Sequence, residues 1–214
     1  MTAAEVSITD VVDELTGIEP DERSAALRNR RPVTREQLQA SFDALFAPLS
    51  DEHFALVDRE LVAAFATRLT ADDAAAAFYA DRARSADPVA ADIVLAEAAQ
   101  AATTGPFGHY REAGLQNENT DGVRYVPSED AVIALGSRLA AALAHTHLLV
   151  YRPREADDSA IQALLDAGWD ADGIITLSQL VSFLAFQQRV AAGLRALALA
   201  RPASSDSTAT EVSA

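Results

Sequence analysis

The 214-residue chain contains neither cysteine nor lysine. Without a thiol it forms no disulfide, builds no cysteinyl metal site and cannot attack a peroxide through sulfur. Without a lysine it forms no Schiff base. Aromatic residues are only 6%, and β-branched alternation is scarce, so there is little material for a sheet. Positive charge is also short: 17 arginines against 32 acids leave a formal charge of −15. No basic patch interrupts that balance, which argues against nucleic acid and anionic membrane as partners. The most apolar stretch, Gly173 to Ala200, is broken by Ser178, Gln179, Ser182, Gln187, Gln188, Arg189 and Arg195. It reads as a buried helix and not as a membrane span. Met1 to Asp10 carry two acids and no base, unlike a secretory leader, so a cytoplasmic protein is expected.

What the chain has in abundance is alanine, 47 residues of it, and a hydrophobic fraction of 50% recurring with a period of three to four. That pattern predicts an all-α fold of closely packed helices. Helices are expected at about 8–18, 34–47, 51–69, 71–85, 88–102, 129–150, 157–167 and 171–199. Starts are marked by Thr34 with Gln37, by Ser50 before Asp51 and Glu52, and by Thr70 with Asp73. Pro153, Gly168 and Asp170 are expected to act as stop, C-cap and N-cap around the last two helices. The Gly- and Pro-bearing stretch 105–127 reads as an irregular connection. The expected organisation is an N-terminal helical extension over 1–33, a helical half over 34–104, the connection 105–127, a second helical half over 128–200 and a disordered tail over 201–214. In the last helix Leu177, Val181 and Leu184, flanked by Phe183 and Phe186, form a stripe broad enough to predict that this is the core helix.

The segments Leu164 to Trp169 and Ile174 to Leu194, preceded by Leu148 to Pro153, resemble the C-terminal half of peroxidase-related proteins in the carboxymuconolactone decarboxylase and alkylhydroperoxidase D superfamily. The similarity is nearest to a cysteine-poor branch whose members occur fused or next to a thiol-containing domain of the same superfamily. It implies an alkylhydroperoxidase D-like helical bundle and a homo-oligomer. It also places the reactive motif of the thiol enzymes upstream: its glutamate falls on Glu60, its two cysteine positions on Asp72 and Ala75, and its histidine on Tyr79. Only the glutamate is retained, so direct thiol peroxidase chemistry is excluded.

The residues carry their own reading beside this one. With a turn near 69–71, Glu60 and Tyr79 occupy facing positions on antiparallel helices, where a carboxylate and a phenol suit proton transfer. These two, with Asp72 as a second acid, are the catalytic candidates, against a bland reading of Glu60 as a helix carboxylate paired with Arg59 or Arg68. His145 and His147 lie two apart on one helix and cannot chelate a single metal, so no metal and no cofactor is predicted. His147, Gln179, Gln187 and Arg189 are the candidate pocket or binding residues, each with a packing role as the alternative.

Three functions compete. The first is a cysteine-less partner or degenerate homologue that binds a small-molecule ligand or supports a thiol-containing sister protein in a peroxide-detoxification or related redox pathway. The second is a thiol-independent acid/base enzyme of decarboxylase or isomerase type, acting on a small organic acid or lactone. The third is a purely structural assembly module. A closed apolar cavity on which Glu60, Tyr79 and His147 converge favours the enzyme, whereas a filled hairpin with an exposed apolar face favours the partner.

Overall fold

The computed structural model describes residues 10–17 and 22–200, and among these the chain is all-α. The expected tail over 201–214 and the first nine residues of the expected extension lie outside the described residues. The helices are α1 (Val11–Thr16), α2 (Glu22–Asn29), α3 (Pro32–Phe46), α4 (Leu56–Thr70), α5 (Ala74–Ala86), α6 (Pro88–Ala101), α7 (Glu129–Tyr151), α8 (Asp158–Asp166) and α9 (Ala171–Leu199).

Side-chain acceptors start most of them. Asp10, Asp73, Asp87, Ser128, Asp157 and Asp170 each accept a backbone N–H from the first turn of the helix that follows. All three expected starts move: Thr70 closes α4, and Asp73, expected inside the first turn of the next helix, caps α5 instead. Helix α3 begins at Pro32, which leaves Thr34 inside its first turn. Helix α4 begins only at Leu56, because Phe54 turns fully into the core and Arg59 holds the preceding loop, its guanidinium donating to the Phe54 carbonyl at 2.8 Å and the Leu45 carbonyl at 2.9 Å. Asp51 still serves as the acceptor, reaching the Leu56 N–H at 3.2 Å from outside the helix. Gly168, at φ +89°, ends α8 in the left-handed conformation as expected, with the Trp169 N–H returning to the Leu164 carbonyl at 3.0 Å.

The central helix is α4 and not α9. From Arg59 to Thr67 every residue of α4 is buried, covered by α5, α6, α7 and α9. Alanines 63, 64 and 66 allow that close approach on several sides. Helix α9 buries one face, Leu177, Leu180, Val181, Leu184, Gln187 and Ala191, while Phe186 remains 48% exposed. Both helical halves contribute to one continuous core, so the connection 105–127 divides the sequence without dividing the packing. That connection is irregular apart from a 3-10 turn at Ala113–Glu118 and a single bridge between Gly108 and Thr120. Its return is pinned by Glu97, which accepts from the Tyr125 hydroxyl at 2.6 Å and from Ser128 Oγ at 2.6 Å.

Helix α2 has no apolar period to announce it. Its Arg28 binds Asp10 at 2.6 Å and also Asp13, while Arg35 binds Asp10 at 2.9 Å, so ion pairs tie α2 and α3 to the start of α1. Helix α7 is long and apolar enough by composition to cross a bilayer. It is bent at Gly136, whose φ of 81° no other residue type adopts readily, and it packs against α4, α6, α8 and α9.

Candidate functional site

The α4–α5 hairpin brings Glu60 and Tyr79 into the interior as expected, but each takes a different partner. The Glu60 carboxylate, 4% exposed, receives Arg82 in two-point fashion, Nε donating at 2.9 Å and Nη2 closing the second contact. The turn between the two helices lies at 71–73 and not at the expected 69–71, so the facing register slides along α5, and Arg82, one turn beyond Tyr79 on the same face, meets the carboxylate instead. Tyr79 is fully buried and donates its hydroxyl to Gln187 Oε1 of α9 at 2.5 Å. The direct Glu60–Tyr79 hydrogen bond is therefore replaced by two bonds that tie α4 to α5 and α5 to α9.

Burial pushes the Glu60 carboxyl above its usual range, with the hydrogen bonds and charge of Arg82 pulling it back. Burial likewise drives the Tyr79 phenol far up, Arg82 opposing and Glu60 adding to the rise, so the phenol stays protonated at any ordinary pH. Three phenyl rings enclose the Arg82 head: its Cζ is 5.2 Å from the Phe42 centroid, 5.1 Å from Phe46 and 5.7 Å from Phe78. The site that sequence reasoning assigned to proton transfer is thus an internally neutralised ion pair inside an aromatic shell.

The other candidates disperse. Asp72 lies in the turn between α4 and α5, ahead of the helix whose first turn it was expected to join; its side chain is 79% exposed and pairs with Arg68 at 3.2 Å, so it does not face the hairpin interior. Gln179 is on the exposed face of α9, and Arg189 is exposed there too, donating to the Ala185 carbonyl at 2.8 Å. Gln187 is fully buried, and its Nε2 has no hydrogen-bond partner. His147 is buried between Tyr125 and Tyr151, at ring distances of 5.5 and 5.0 Å. Burial lowers its pKa, with the Ala101 backbone bond opposing, and Nε2 is without a partner. His145 is buried as well, its pKa lowered by burial and its Nδ1 unpartnered.

Arg82 and the three phenylalanines escaped the sequence reading. The only signal was positional: Phe42 and Phe46 one turn apart on α3, and Phe78 and Arg82 one turn apart on α5. Among the described residues no group of three His, Asp or Glu side chains converges as a metal site would require. Two surface concavities lie elsewhere. One of about 360 Å³ is lined by Asp10, Asn29, Arg35 and Gln39. The other, about 450 Å³, holds Arg111, Arg124 and Arg154, whose charges are already engaged by Asp157 at 3.4 Å, by Glu155 at 2.5 Å and by the Tyr110 ring at 4.1 Å respectively.

The chain matches no family model, no curated protein and no solved structure.

The Tyr79–Gln187 bond yields a first prediction. Both groups are at 0% exposure, so in Tyr79→Phe no water replaces the lost donor and the whole Gln187 amide is left unpartnered. The expected loss is about 2 kcal/mol by urea unfolding, since an unsatisfied buried acceptor costs roughly 1–3 kcal/mol. A loss below about 0.5 kcal/mol would show that solvent reaches the amide.

Proposed function

We propose that this chain is a cysteine-less protein of the carboxymuconolactone decarboxylase and alkylhydroperoxidase D type that acts as a non-thiol, homo-oligomeric partner of a thiol-containing sister protein in peroxide detoxification or a related redox pathway. The observation that carries this reading is the filled hairpin. Where a proton-relaying glutamate would need open space and a reactive neighbour, Glu60 is held by Arg82 at 2.9 Å beneath three phenyl rings, and Tyr79 is spent on Gln187. A carboxylate neutralised in this way serves packing between α4 and α5 better than it serves general acid or base work. The absence of cysteine removes the thiol route independently.

The test is an alkyl hydroperoxide assay with a dithiol reductant, run on the chain alone, on a Cys-x-x-Cys protein of the superfamily from the same source, and on the two together. The chain alone is expected to match the buffer blank after metal chelation. The mixture is expected to co-elute by size exclusion and to change the sister protein's rate. Turnover by the chain alone that survives chelation contradicts the reading, and so does a mixture that behaves as the sum of its parts.

A further inference from the structure

We propose that Phe42, Phe46, Phe78 and Glu60 form a binding site for a small alkylguanidinium cation, and that the chain's own Arg82 fills it as an internal ligand which an external guanidinium displaces. An ion pair built only for stability needs a carboxylate and its counter-charge. Here the guanidinium is also ringed by three phenyl groups from two helices, at 5.1 to 5.7 Å. Such an enclosure removes water from most of the cation's surface, which suits a planar, weakly hydrated guanidinium far better than a compact ammonium.

The walls are braced independently of the occupant. Phe42 lies 4.9 Å from Phe46 and 6.2 Å from Phe78, and Tyr79 backs both Phe46, at 5.5 Å, and Phe78, at 5.1 Å. The depth gradient gives the site a direction: the Glu60 side chain is 6% exposed at the floor, and that of Arg82 is 27% exposed at the mouth. Among the described residues the hydrogen bonds of Arg82 all go to Glu60, so a side-chain rotation that vacates the site gives up only that fork and the three ring contacts, the same interactions that an incoming guanidinium restores. The carboxylate then presents two acceptor oxygens in the fork geometry that a guanidinium matches. This inference does not depend on the partner role, and a negative titration leaves the peroxide assay as it stands.

The test titrates ethylguanidinium, which has the head group of an arginine side chain, into the full chain and follows the ring-proton signals of Phe42, Phe46 and Phe78. Sodium chloride and urea at matched concentrations are the controls. Saturable shifts confined to these rings are expected in the wild-type chain. Saturation should come at about tenfold lower ligand in Arg82→Ala, where no internal ligand competes, and at about tenfold higher ligand when Glu60→Gln is added to that variant. If Arg82→Ala does not fold, Arg82→Gln takes its place. Absence of saturable ring shifts in the wild-type chain overturns the proposal, as does binding that is indifferent to Glu60→Gln. Saturation in the variant alone overturns it too, because the site is then sealed in the native protein.

Discussion

Arg82→Ala is expected to destabilise the protein by about 3 kcal/mol, the typical cost of leaving one partner of a buried ion pair without the other. The asymmetry of exposure decides which partner matters. The Arg82 side chain keeps 27% of its surface exposed, whereas the Glu60 side chain is 6% exposed and is left with little access to water when its counter-charge is gone. The variant also acquires a pH signature. Burial already holds the Glu60 carboxyl above its ordinary value, and the two influences that lower it, the Arg82 hydrogen bonds and charge, both vanish. A carboxyl with a folded pKa above its unfolded one favours the folded state when protonated. Its contribution is complete below the unfolded pKa and is lost as pH rises through the folded one. Stability of Arg82→Ala should therefore rise as pH falls through that window, and rise more steeply than in the wild-type chain. Urea unfolding at several pH values measures both effects. Pairing Arg82→Met with Glu60→Met should recover most of the loss, since an apolar pair leaves no charge behind. A cost below about 1 kcal/mol for Arg82→Ala would mean that water reaches Glu60 in the folded protein.

Trp169→Ala should cost more, about 3–5 kcal/mol, the usual range for removing a large buried aromatic side chain. Trp169 is 3% exposed and stands at the corner between α8 and α9. Its ring meets Phe54 edge-on at 4.9 Å and carries the Arg138 guanidinium at 4.0 Å, and its Nε1 donates to the Arg138 carbonyl at 2.9 Å. Gly173 permits this approach, since a Cβ there would lie 3.0 Å from the indole and 2.6 Å from the His53 carbonyl oxygen. Truncation leaves a cavity between the loop at Phe54, α7 and α9, and it also orphans the Arg138 carbonyl. Trp169→Phe keeps most of the volume and should lose only about 1–2 kcal/mol, chiefly the hydrogen bond. Because this is the only tryptophan, circular dichroism and not fluorescence must follow the unfolding. Equal losses for the two variants would show that the indole N–H, and not packing, dominates this corner.

Much of this corner was legible. Gly168 ends α8 and Asp170 caps α9 as expected, because a left-handed glycine and an N-cap acceptor act within a few residues of themselves, whereas Asp157, which caps α8, was placed inside the helix. Helix α2 was not legible, since its support comes from Arg28 reaching Asp10 and Asp13 in another helix, a contact that leaves no periodic trace in the sequence. The start of α4 was misplaced for a related reason: Ser50 and Asp51 offer good caps, but burying Phe54 and satisfying Arg59 outweighs one local hydrogen bond.

The hairpin separates the two kinds of information most clearly. Alanine content, helical period and the missing cysteines determined by themselves that the chain is helical and without thiol chemistry, because composition and local periodicity act on every residue in the same way. The helical repeat also determined that α4 and α5 pair as a hairpin, but the turn expected at 69–71 lies at 71–73, which shifts the facing register along α5 from Tyr79 towards Arg82. Partner choice was left to tertiary structure. Glu60 took Arg82 instead of Tyr79 because the later turn slides the facing register along α5 and because a buried carboxylate gains more from a full counter-charge than from a neutral phenol. Tyr79, released from that role, found Gln187 on a helix more than a hundred residues further along the chain. Likewise α4 rather than α9 became the core helix, since small residues on most of its surface let four neighbours close on it together, and that depends on where those neighbours come to lie.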